Sequence, residues 1–162
     1  VINILQNILK KGHPIFGKPA ESVKPRVILS SYIKNIIAEM SATIDKQQVT
    51  FKHQIVGLTA NQIGYPVRII CLNTDSKIFM INPAIEKEKG KQISLEGCGS
   101  VDGVLCEVER PKYIEVHFYD ENGEDWCGEF TDLNAWVVEH EIDHLDGIFI
   151  TDKAIRIIKL ED

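Results

Sequence analysis

The chain has 162 residues, 44% of them hydrophobic and 26% charged, with a formal net charge of −6. That length suits one domain with a real core, and that composition excludes a disordered chain. The acidic balance, without any cluster of Lys or Arg, argues against non-specific nucleic-acid binding, and no apolar run is long enough to span a membrane. No secretory signal stands out. Cys71, Cys98, Cys106 and Cys127 form no CxxC pair, so a disulfide framework is not expected in a domain of this size. The expectation is a reduced, bacterial-type cytoplasm, or an organelle if a targeting segment precedes Val1. Cys71, Cys106 and Cys127 are expected to be buried or half-buried thiols.

In chain order, residues 27–40 follow Pro25 and place Ile33, Ile36, Ile37 and Met40 at helical spacing, which predicts an amphipathic N-terminal helix. Residues 45–54 are polar and read as a loop. Residues 67–72 and 77–82 read as strands joined by a turn at 73–76, with further strands at 104–108 and 113–119. Glu121-Asn122-Gly123 is a hairpin turn into a strand at 125–130. A helix follows, with Asp132 as its expected N-cap and Gly147 as its stop. Residues 153–160 read as a short tail strand or helix. The pattern predicts an α+β fold, with antiparallel β-sheets packed around a central C-terminal helix and an N-terminal helix beside them, in a single domain over 1–162.

That C-terminal helix carries His140-Glu141-Ile142-Asp143-His144, the pattern H-E-x-x-H. Two histidines four apart share one helical face and can converge on one metal ion, while the intervening glutamate lies where a carboxylate reaches water as a general base. Such a pattern can also arise by accident on a solvated helix. Here, however, Ala135, Trp136, Val137, Val138 and Leu145 make the helix mostly apolar, and burying two histidines with Glu139, Glu141, Asp143 and Asp146 is costly unless something pairs them. A divalent metal pairs several at once.

A tetrahedral site needs a third protein ligand, and no histidine follows His144. The candidates upstream are His13, His53, His117, the acids and the cysteines. Cys98 is favoured once the histidine pair is in view. Gly97 and Gly99 flank it and allow close backbone approach, and a thiolate suits a divalent transition metal. On the metal helix, Leu133, Trp136 and Val137 precede His140 by seven, four and three residues and so share its face. Core packing is the ordinary role for such a stripe.

Three ordered segments carry a resemblance: Val56-Gly57-Leu58-Thr59-Ala60-Asn61-Gln62, Glu96-Gly97-Cys98-Gly99-Ser100, and Glu139-His140-Glu141-Ile142-Asp143-His144. In order and spacing they resemble the motifs G-x-G-L-A-A-x-Q, E-G-C-L-S and Q-H-E-x-D-H of the peptide deformylase family. The resemblance implies a metal-dependent hydrolase that removes the N-formyl group from the N-terminal formylmethionine of nascent polypeptides, releasing formate. It implies Cys98, His140 and His144 as ligands of one divalent ion, Fe(II) in the cell with Zn(II), Ni(II) or Co(II) able to replace it. Glu141 would be the general base, with the Gln62 amide and the Gly99 N–H as oxyanion donors. Val56 and Gly57 would face Leu133, Trp136 and Val137 across the methionine site, the substrate lying beside Gly57 as an added strand. Formylated nascent peptides, with transient ribosome association, are the partners it implies; no membrane and no specific nucleic acid are expected.

The chain also departs from the motifs. Ile55 and Thr59 replace a glycine and an alanine, Gly99 replaces leucine, and Asp102 replaces proline. Glu139 replaces glutamine and adds negative charge near the metal. Trp136 is larger than the usual aliphatic residue, and the segment 46–54 is longer than usual. Two other readings share these residues: a catalytically impaired protein that binds formyl peptides, and a zincin-type endopeptidase.

Overall fold

Alternation of apolar and polar residues sets the strands. In Tyr113–Tyr119 every second residue (Ile114, Val116 and Phe118) is buried, as a half-covered sheet requires. The computed structural model describes residues 8–51 and 55–161. Among these the elements run α1 (Ser31–Phe51), β1 (Gly57–Thr59), β2 (Ile69–Asn73), β3 (Lys77–Lys89), β4 (Gln92–Cys98), β5 (Val101–Arg110), β6 (Tyr113–Tyr119), β7 (Asp125–Thr131), α2 (Asp132–Leu145), α3 (Ile150–Lys153) and β8 (Arg156–Lys159). One sheet has the order β1-β2-β3-β6-β7 and the other β4-β5-β8, and every ladder is antiparallel. The architecture is the expected α+β one.

Helix α2 lies between the sheets. Ala135, Val137, Val138 and Leu145 pack with Ile70, Leu72, Met80, Ile114 and Val116 of the five-stranded sheet. Its His140 and Asp143 turn instead to Glu96 and Arg110 of the three-stranded sheet. Thr131, not Asp132, occupies the N-cap, and Asp132 takes a left-handed φ of 50° as the chain turns from β7 into the helix. At the other end Gly147 has φ 73°, and a Cβ there would lie 2.4 Å from the Phe16 carbonyl oxygen. Only glycine meets both conditions, so the predicted helix stop holds.

The first helix departs from expectation at both ends. Pro25 starts a separate 3₁₀ turn, Pro25–Val27, and α1 begins only at Ser31, where the Ser30 hydroxyl accepts from the Ile33 N–H at 3.4 Å. It then runs through residues 45–51, which had read as loop; residues 52–54 of that loop lie outside the described residues. Polar composition hid a continuing stripe: Ile33, Ile36, Met40, Ile44 and Gln47 are all buried at helical spacing. Lys77 reaches across to the helix, donating to the Ser41 hydroxyl at 2.7 Å and pairing with Asp45 at 2.5 Å.

Strand β3 continues well past the predicted 77–82. Its pairing with β6 shifts register between Ile81 and Ala84, where Asn82 has φ 53° and exchanges two hydrogen bonds with the Val23 backbone (2.8 and 2.6 Å). The tail expected at 153–160 resolves into α3 and β8. Cys71 and Cys106 are buried as expected, but Cys127 is exposed. It lies on edge strand β7, where Gly128 and Phe130 take the inward positions.

Candidate active site

The four-residue spacing on α2 stacks the His140 and His144 rings edge to face at 4.5 Å between centroids. Across from them the β4–β5 hairpin shifts register between Glu96 and Cys98, a bulge that turns the thiol inward. Cys98 Sγ lies 3.2 Å from His144 Nε2, and the ligand atoms of Cys98, His140 and His144 all fall within 4.8 Å of one another. His13 and His117 are elsewhere: the first accepts from the Ile15 N–H, the second pairs with Asp125. His53 lies outside the described residues.

Glu141 sits against both rings, its carboxylate 3.3 Å from His144 Nδ1 and 3.9 Å from His140 Nε2. Gly57 of β1 backs directly onto it, since a Cβ there would come within 2.5 Å of Glu141 Oε1. Gln62 is buried, and its orientation is set from both sides. Its carbonyl oxygen accepts from the Thr59 N–H (3.0 Å), so its NH₂ points at Ser100, to which it donates at 3.0 Å, while the Thr59 hydroxyl donates to Asn61 Oδ1 at 2.5 Å. Thr59, a departure from the family pattern, thus contributes a hydroxyl that alanine lacks. Ser100 in turn donates to the Leu9 carbonyl at 2.6 Å, and Lys10 Nζ donates to the Gly99 carbonyl at 2.7 Å. The N-terminal arm therefore pins the Cys98 loop, a role that no motif announces.

Two further residues complete the site. Glu96 Oε1 is 2.5 Å from His140 Nδ1, which leaves Nε2 free to face the cluster. Arg110 holds Glu96 by two bonds of 2.9 Å, donates to Asp143 at 2.6 Å and to Glu139 at 3.3 Å, and is only 2% exposed. Lys153 adds contacts to Asp143 (3.0 Å) and Glu139 (3.8 Å). Glu139 is thus paired rather than left as free negative charge at the centre. Sequence reasoning missed the roles of Glu96 and Arg110. Their signal was the surplus of acids on a buried helix, which called for a cation.

The electrostatics follow from these contacts. Burial opposes the Glu96 carboxylate, but His140 and Arg110 overcome it and hold its pKa at about 2. Burial likewise opposes the Cys98 thiolate, and the neighbouring histidines bring its pKa down to about 6. Both imidazoles are raised despite burial, held charged by Cys98, Glu96 and Glu141. A thiolate facing two protonated imidazoles is the charge pattern that a divalent cation replaces when it displaces those protons. The soft thiolate and two imidazoles, with a carboxylate behind one ring, therefore fit a transition metal.

Cys98, His140, His144 and Glu141 open onto a cavity of about 770 Å³, whose lining includes Val56, Gly57, Gln62, Gly99, Trp136 and Val137. Leu133 does not join them and is 46% exposed. Seven residues place it about 10 Å along the axis from His140, at the start of α2 and beyond the cavity wall. Three side chains able to ligate a metal, a carboxylate and an oriented amide facing one cavity suit assisted hydrolysis of a small amide.

Comparison with known proteins gives the same result from sequence and from structure. A family profile described as polypeptide deformylase matches residues 5–159. The chain is 36% identical over 159 residues to a peptide deformylase of Thermoanaerobacter pseudethanolicus, covering 98% of this chain and 94% of that one. It is 42% identical over 132 residues to one of Syntrophomonas wolfei (79% and 87%). Among solved structures it is similar to a class I type b peptide deformylase from Acinetobacter baumannii, with a TM-score of 0.83 at 27% identity and coverage of 91% and 97%. A Synechococcus elongatus peptide deformylase in complex with actinonin gives 0.82 at 28% (92% and 78%). With the three motifs on β1, the β4–β5 hairpin and α2 now meeting at one cavity, this chain belongs to the polypeptide deformylase family.

Proposed function

We propose that the chain hydrolyses the N-formyl group of formylmethionyl peptides. The observation that carries this is the convergence of Cys98, His140 and His144 within 4.8 Å on a cavity wall, with Glu141 against both rings. Cys98, His140 and His144 would hold one divalent ion, which when bound would supply an activated water and Lewis acidity toward the formyl group. We assign Fe(II) in the cell; the same donors also accept Zn(II), Co(II) and Ni(II).

Glu141 takes the proton as water attacks the formyl carbon and delivers it to the departing amine. The Gln62 NH₂, already turned toward the Cys98 loop, and the Gly99 N–H stabilise the negative charge developing on the formyl oxygen, one such donor contributing about 3 kcal/mol. Arg110 and Glu96 keep His140 in the tautomer that presents Nε2.

Strand β1 is the sheet edge beside this centre. Val56 O accepts from Asn73 N and Ala60 N donates to Ile69 O, so residues 56, 58 and 60 bond inward to β2. Gly57, of opposite parity, directs its N–H and C=O to the open edge, where a peptide can add as a strand. Trp136 and Val137 form the apolar wall for the methionine side chain. Protein reconstituted anaerobically with Fe(II) or Ni(II) is expected to release formate from formyl-Met peptides and to leave internal peptide bonds uncut. Cleavage of internal bonds without a formyl requirement would overturn the assignment in favour of an endopeptidase.

A further inference from the structure

Gln47 occupies the last buried place on the α1 stripe that begins with Ile33, Ile36, Met40 and Ile44. It is fully buried, and neither its side-chain nitrogen nor its oxygen has a hydrogen-bond partner among the described residues. Buried amides are almost always paired, and an apolar residue would continue the stripe without that loss. The same residue lines the cavity that contains Cys98, Glu141 and Gly57. It stands in the segment where this chain is longer than the family pattern, on a helix that packs with β1 through Met40, Ile44 and Leu58.

We propose that Gln47 is a specificity-determining residue of the substrate groove, its amide pairing with the main-chain N–H and C=O of a residue downstream of the methionine. The proposal rests on the deformylase reading above. Its unmet donor and unmet acceptor call for a ligand offering one of each on the same side, as the N–H and C=O of one strand residue do. A methionine thioether offers no donor, and the formyl oxygen is served by Gln62 and Gly99. A strand added to the open edge of β1 carries peptide groups along the element against which α1 packs.

The test compares Gln47→Met and Gln47→Leu with the parent, all loaded with Ni(II), on a formyl-Met tripeptide and on formylmethionine amide, which ends in a carboxamide and lacks the N–H and C=O pair of a downstream residue. The preference for the tripeptide, taken as the ratio of the two kcat/KM values, is expected to fall about tenfold through KM. Equal effects on both substrates, or none, would overturn the proposal. Both variants keep an apolar side chain on the stripe and are expected to fold. Calorimetric binding of the tripeptide to the same Ni(II) proteins keeps the two readings apart. If the parent releases no formate, the functional reading fails, and the Gln47 proposal stands or falls on whether the variants bind the tripeptide about tenfold more weakly.

Discussion

Arg110→Met removes the cation at the centre of the site's supporting network while keeping the length and apolar bulk of the side-chain stem. Its guanidinium is 1% exposed, with Glu96, Asp143 and Glu139 at 0%, 12% and 14%. In the variant, Glu96 loses both 2.9 Å bonds and is left against His140 and the Ser94 hydroxyl, and Asp143 keeps only Lys153. Breaking a buried ion pair by removing one partner costs about 3–5 kcal/mol, because the remaining charge stays desolvated. For a chain of this length each kcal/mol moves Tm by about 2–4 °C, so a fall of roughly 6–20 °C is expected in thermal unfolding followed by circular dichroism. Adding Glu96→Gln to Arg110→Met should recover part of that loss, since the orphaned charge is then gone. A Tm within about 2 °C of the parent would refute the view that Arg110 neutralises the acids of α2. So would a double variant less stable than the sum of the single changes.

Gly57→Ala would place a methyl group 2.5 Å from Glu141 Oε1 and force the carboxylate aside. The expected result is a fall in kcat on the order of 100-fold with metal content retained, measured by formate release and elemental analysis on one sample. Thiol labelling in the native protein should modify Cys127, which is exposed. It should spare Cys71, whose thiol burial pushes up to about 12, and Cys106, which is buried. Cys98 should become reactive only when the metal is stripped; modification of Cys98 at full metal occupancy would contradict its role as a ligand.

How much of this was legible beforehand depended on whether a feature is local in sequence. The H-E-x-x-H spacing, the Gly-Cys-Gly setting of Cys98 and the alternation in β6 are each written within a few residues, and the structure brings the first two together at one cavity and buries the inward face of the third. Strand β4 gave no such signal because its pattern is inverted. Ser94 and Glu96 point inward, Ser94 donating to Glu96 and to the Val108 carbonyl and Glu96 meeting Arg110 and His140, while Ile93 (56%) and Leu95 (55%) are exposed. Arg110 lies 14 residues from Glu96 and 33 from Asp143, so nothing short-range links them. The extension of α1 was masked by the polar run at its end, although Gln47 keeps the helical register of the apolar stripe. Leu133 shows the opposite error: facing the right way along a helix does not help a residue that lies two turns from His140, outside the cavity lining.

The central claim is that Glu141 moves the proton while Cys98, His140 and His144 hold the metal. It is tested most directly by Glu141→Gln, with formate release and metal content measured on the same reconstituted preparation. The account predicts an unchanged metal stoichiometry and a rate on formyl-Met peptides lower by at least about 100-fold. Parental activity in that variant would contradict it.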